Sequence, residues 1–250
     1  MVKSSIHQKR FYREISPRDG LVHFTMTFKE TDLFIAAVRS LEREATDSIL
    51  KYRAQIEDYI ERVPGFKESL IPLPSDSFAP KIVREMLTAA ERSGVGPMAA
   101  VAGAMAECVG RDLLAYSPEV LVENGGDLFV SVDRDIVVGV LAGESPLSGR
   151  LALKIHAKET PIGICTSSGT VGHSLSFGTS DAVTILAKSA ALADAAATSV
   201  GNLISGKEAI GKGLQRAREI DGVLGALIIK DDKLGAWGNV ELVESQGLAR

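Results

Sequence analysis

Cysteine is scarce in this chain. Cys108 and Cys165 are the two it has among 250 residues, far apart and without a C-x-x-C spacing. That excludes a disulfide scaffold and a thiolate zinc site, and it fits a reducing compartment. A surplus of either charge is also missing. Lys and Arg total 28 against 32 Asp and Glu, a formal net charge of -4. Such a surface offers no broad attraction to phosphate backbones or anionic lipid, so no nucleic-acid partner is expected. No apolar run that could serve as a signal-peptide core opens the sequence, because MVKSSIHQKRFYREISPRDG carries charges throughout. The most apolar tract, residues 182–204, holds Lys188, Asp194 and Asn202, which argues for a buried strand and helix rather than a membrane span. A cytoplasmic location without membrane contact is the expectation. No fixed-period repeat is evident.

What is present is an ordinary globular composition, 45% hydrophobic and 24% charged, in a chain long enough to bury a substantial core. LVHFTMTF at 21–28 alternates as a half-buried strand does. Over residues 33–63, Leu41, Ala45, Ile49, Tyr52, Ile56, Tyr59 and Val63 recur every three or four positions, which predicts a helix ended by Pro64 and Gly65. Further helices are expected over 81–93, over the small-residue stretch 98–114, over 189–204 and over 207–220. Between them, VLVEN, DLFVSV and IVVGVLAG read as an antiparallel meander, followed by a strand at LALKIHA. A polar loop is expected at 165–181, then a short strand at 182–187. GALIIK and AWGNVELV close the chain as two strands. Strands and helices do not alternate regularly, so an α+β layered architecture is predicted, in one domain over 1–250 with a helical block near 33–114.

Three segments could carry chemistry. Asn124-Gly125-Gly126-Asp127 lies between two apolar strands, where adjacent glycines can form an anion-binding nest or simply a tight hairpin. Thr166-Ser167-Ser168-Gly169, followed by His173, offers hydroxyls and backbone N–H groups suited to phosphate or ribose, and an imidazole able to move a proton; a connecting loop has the same composition. Asp194 interrupts a run of alanines that should be buried, where a carboxylate must be paired, hydrogen-bonded or bound to metal. Thr198 is one helical turn on, so both oxygens could reach a hard cation such as Mg²⁺; a helix cap is the alternative. The Gly206 to Gly213 stretch imitates a P-loop but lacks its final Ser or Thr. His156 has no ligand partner at metal spacing and is assigned no site.

In this order, NGGD at 124–127, TSSG at 166–169 with His173, and ADAAAT at 193–198 resemble the ApbE-like superfamily over roughly residues 120–203. Tyr12-Arg13 and Glu30-Thr31-Asp32-Leu33 are similar to an uncharacterised cytoplasmic subgroup of it. The resemblance implies a T-fold-like stack of antiparallel sheet and helices. Characterised relatives are FAD:protein FMN transferases, which bind FAD in a cleft and use Mg²⁺ to transfer its FMN half onto a Ser or Thr of an acceptor protein. On that likeness Asp194 and Thr198 would be metal ligands, and Asn124, Gly125, Gly126, Asp127, Thr166, Ser167, Ser168, Gly169 and His173 would border a flavin or other nucleotide. The family's His-x-x-Asp-Pro-x-Thr-Gly segment is here His173-Ser174-Leu175-Ser176-Phe177-Gly178, without the Asp, Pro and Thr. Two expectations follow. One is Mg²⁺-dependent FMN transfer or FAD pyrophosphate hydrolysis; the other is a non-catalytic protein that holds a nucleotide or small anionic metabolite.

Overall fold

The structure, a computed structural model, describes residues 20–169 and 178–245. Strand alternation organises it. In β3 (Val120–Asn124) and β4 (Asp127–Ser131), Val120, Val122 and Phe129 join one hydrophobic cluster while Leu121 and Val130 join another. A sheet apolar on both faces has to be covered on both. Among the described residues that sheet has eight antiparallel strands, in the order β1 (Val22–Phe28), β2 (Thr31–Ala37), β3, β4, β7 (Ile162–Ser167), β8 (Ala182–Ala187), β9 (Val223–Lys230) and β10 (Lys233–Gly238). Helices α1 (Glu42–Arg62), α2 (Lys81–Ser93), α3 (Val101–Leu113), α4 (Ala190–Gly201) and α5 (Ile210–Glu219) contribute to the cluster on one face. On the other face lies a small sheet of β11 (Glu241–Glu244), β6 (Leu151–Ile155) and β5 (Ile136–Gly139), whose Ile136, Leu153 and Ile155 pack against Ile162, Ile164, Leu186 and Leu227. The α+β layered class is as read from the sequence.

Four local readings are corrected. Residues 33–37 are strand, paired with β1 and β3, so the helical block begins at Glu42. A short apolar run such as LFIAA cannot be told from a helix by periodicity, and the turn at Lys29, whose φ is 51°, folds it back on β1. The meander breaks after β4, because β5 pairs with β6 in the small sheet while β4 pairs with β7. The segment AWGNVELV is divided at Gly238, φ 75°, so β11 leaves β10 and joins β6. Cys165, Thr166 and Ser167 are the last residues of β7 rather than loop.

His156, assigned no site, is a cross-link within the small sheet. Its Nδ1 lies 2.8 Å from Asp135 and its Nε2 lies 2.9 Å from Glu241. The Glu241 and Asp135 carboxylates raise its pKa above the ordinary value. Among the described residues no helix is long and apolar enough to cross a membrane.

Helix α4 sits on β7 at very short range. A Cβ at Gly163 would fall 2.4 Å from the Ala190 Cα, and one at Gly103 of α3 would fall 2.2 Å from the Ala190 carbonyl oxygen. Glycine at these two places is what lets sheet, α3 and α4 meet.

Candidate functional site

Helices begin with N–H groups that have no partner inside the helix. No side chain of its own caps α3. Asp194, from the second turn of α4, supplies the acceptor: Oδ2 takes the Gly103 N–H at 2.9 Å, and the carboxylate also takes the Ala102 N–H. The favour is returned by Glu107, in the second turn of α3, whose Oε2 accepts the Ala190 N–H at 2.6 Å and the Ser189 hydroxyl at 3.0 Å. The two helices run antiparallel and exchange caps, each anion sitting where the partner helix has its positive end.

The two carboxylates differ in one respect. Glu107 is buried, and its Oε1 is gripped by Arg111 through Nε at 2.9 Å and Nη2 at 2.7 Å. Asp194 has no Lys, Arg or His paired with it among the described residues, and its charged neighbour is a second carboxylate, Asp127. Asp127 is buried at the start of β4, opposite Cys165 of β7, and accepts the Thr166 N–H. Burial, then the Asp194 charge, pushes the Asp127 pKa well above the carboxylate range. Burial also pushes Asp194 up to about 7, against the opposing pull of the Gly103 and Ala102 N–H groups. A buried carboxyl group within the field of a second one holds its proton tightly.

The remaining expected residues divide. Asn124 donates from Nδ2 to the Ala102 carbonyl at 3.1 Å, tying the β3–β4 turn to the start of α3. Gly125 and Gly126 have φ of 71° and 108°, the two left-handed residues of a tight hairpin. The Gly126 N–H is bonded to Glu123 Oε1 at 3.1 Å. Thr166 turns its hydroxyl away from Asp127, to Thr184 Oγ1 at 2.9 Å on the other face of the sheet; only its N–H reaches the site. That reversal follows from its place in a strand, where neighbours alternate. Ser167, on the Cys165 face, keeps a buried hydroxyl with no hydrogen-bond partner among the described residues. Ser168 follows the strand. Gly169 donates to the Ser180 carbonyl at 2.9 Å, and a Cβ there would strike the Gly178 carbonyl oxygen at 2.1 Å. His173 lies outside the described residues. Thr198 is one turn beyond Asp194 on the same face of α4 and is partly exposed.

Sequence reasoning passed over Glu107, although it interrupts AMAECVG just as Asp194 interrupts its alanines. The same argument from burial applied to both. Nothing in the sequence placed Cys165 beside Asp127, since that needs the register of β4 with β7. Among the described residues no three His, Cys, Asp or Glu side chains are grouped to hold a metal ion. The donors present, carboxylate and hydroxyl oxygens, suit Mg²⁺, which is ordinarily held by one or two carboxylates and completed by water and substrate phosphate.

Known proteins agree with this architecture. The UPF0280 protein of Methanococcus vannielii is 42% identical over 221 residues, covering 86% of this chain and 90% of that one. The flavinyl transferase ApbE of Pseudomonas stutzeri superposes with a TM-score of 0.58 at 15% identity, covering 87% of this chain and 94% of that one. The flavin transferase ApbE of Vibrio cholerae gives 0.54 at 12% identity, covering 87% and 96%. At such identities the two structures show a shared fold. Residues 13–232 match the family described as AbpE bacteria, and the chain belongs to that ApbE-like family.

Proposed function

We propose that this protein binds a flavin nucleotide, or a nucleotide like it with a pyrophosphate, together with a divalent cation at Asp194 and Thr198. The observation that carries the reading is the contrast between the two capping carboxylates. Glu107 is neutralised by Arg111, whereas Asp194 faces Asp127 with no cation from the described protein. A bound Mg²⁺ would offset that charge and stabilise charge developing on phosphate oxygens. Asp194 would tie that ion to the start of α3, whose Gly103 N–H its Oδ2 accepts. Asp127 adds a second carboxyl group nearby, and Ser167 offers a hydroxyl with no partner among the described residues.

The reaction proposed is cleavage of the FAD pyrophosphate. An acceptor hydroxyl oxygen forms a bond to the FMN phosphorus, the bridging P–O bond breaks, AMP leaves, and the hydroxyl proton passes to solvent. Water in place of the acceptor gives free FMN. The task of the chain is orientation and electrostatic support of the phosphate. The absence of Asp, Pro and Thr from 173–178 favours a second reading, binding without cleavage. Incubation with FAD and Mg²⁺ followed by chromatography decides between them. AMP with FMN, free or attached to an added acceptor protein, is the expected result; intact FAD bound without AMP release supports the second reading.

A further inference from the structure

We propose that Glu107, locked by Arg111, is a positioning residue for the cation site, an inference that rests on the functional reading above. Asp194 and Thr198 ride on α4, so the axial register of that helix decides where their oxygens stand. Half of α4 is alanine, and its buried side chains are Ala190, Ala191, Leu192, Ala193, Ala195, Ala196, Ala197 and Val200. A methyl surface of this kind packs closely but offers few knobs to oppose sliding. A directional bond to the helix start supplies the missing constraint. Glu107 Oε2 holds the Ala190 N–H at 2.6 Å and the Ser189 hydroxyl at 3.0 Å.

The anchor is itself referenced to the sheet. Arg111 holds Glu107 Oε1 and lies 5.6 Å over the ring of Phe129, two residues along β4 from Asp127. Gly110 lets α3 approach that ring, since a Cβ there would lie 2.2 Å from the Phe129 Cδ1. Asp127 and Asp194 are thereby set relative to each other through Phe129, Arg111, Glu107 and Ala190. Such a chain does for a cation site what outer-shell groups do for metal ligands generally.

The test uses Mn²⁺ alone, counted by the electron paramagnetic resonance of the free ion, on the full chain at a temperature where circular dichroism shows each variant folded. Glu107→Gln should weaken Mn²⁺ binding about 10- to 100-fold. Should that variant not fold, Arg111→Lys, which keeps the charge but loses the planar fork, should weaken it several-fold. Asp112→Asn is the control. Asp112 fastens α3 to α1 through Ser48, Lys51 and Tyr52 and takes no part in the hydrogen bonds by which Asp194 and Glu107 join α3 to α4. That variant should melt lower yet bind Mn²⁺ within about twofold of the unaltered protein. Equal weakening by Glu107→Gln and Asp112→Asn, or none by Glu107→Gln and Arg111→Lys, overturns the positioning role. Binding by the unaltered protein that is absent, or is indifferent to Asp194→Asn, overturns the cation reading and this proposal with it.

Discussion

Asp194→Asn should leave a folded protein that no longer gains stability from a divalent cation. Asparagine retains an oxygen that can accept the Gly103 N–H, so the cap on α3 survives the change. What goes is the charge that attracts a hard ion, and the cation affinity should fall roughly a hundredfold. At a concentration one hundred times Kd a ligand stabilises by about 2.7 kcal/mol. In a chain of this size that is a melting shift of about 5–10 °C. The unaltered protein should show that shift with Mg²⁺ and FAD, and the variant should not. The cation-free comparison carries its own sign. Asp194 is raised to about 7 from a starting value of 3.8. The folded protein therefore holds a proton that the unfolded chain releases first. The stability contributed by this group is full below the unfolded value and is lost as pH rises through about 7. Above that pH the cation-free variant, freed of an unfavourable charge, should melt at or above the temperature of the unaltered protein. A variant that melts lower and keeps the whole cation-dependent shift would show the carboxylate to be a cap and nothing more.

Gly163→Ala should be among the most damaging single methyl additions in the described structure. The new Cβ would stand 2.4 Å from the Ala190 Cα, 2.5 Å from its nitrogen and 2.8 Å from the Ser189 carbonyl carbon. All three are backbone atoms, so no side chain can swing aside and α4 has to lift from β7. Lifting it strains the Ala190 N–H bond to Glu107 and the bond from the Cys165 thiol to the Ala190 carbonyl. Overpacking of this kind costs about 3 kcal/mol, near the upper end of the usual range, or about 6–12 °C in melting temperature. Gly211→Ala in α5 is the matched control, because nothing stands within 4 Å of its Cβ position. That substitution should raise stability by up to about 1 kcal/mol. Thermal melts of both variants measure the difference. A Gly163→Ala protein that melts with the unaltered one would mean that α4 is not seated where the structure has it.

The sequence was most legible where one periodicity ruled. β3, β4 and β8 alternate cleanly or run wholly apolar between turn residues, and α2 ends at Gly94, whose φ of 69° is the left-handed cap. Legibility failed at β2 and β7. Each is a short apolar or mixed run whose identity depends on pairing with distant strands, Thr31–Ala37 with β1 and β3, Ile162–Ser167 with β4 and β8. The second failure reached the site. With 165–169 read as loop, every hydroxyl there could turn to a ligand; within β7, Thr166 and Ser167 face opposite sides. Asp194 was legible because a carboxylate among alanines violates the expected pattern, whereas its partner Asp127 looked like a turn residue. Only the fold brings the charge of Asp194 to bear on Asp127.

Diffraction from crystals soaked in MnCl₂, with anomalous data collected near the manganese edge, tests the central claim most directly. The expected result is an anomalous peak within about 2.0–2.3 Å of an Asp194 carboxylate oxygen, on the side toward Thr198 and Asp127. A fully soaked crystal with manganese elsewhere on the molecule and none at Asp194 would contradict it.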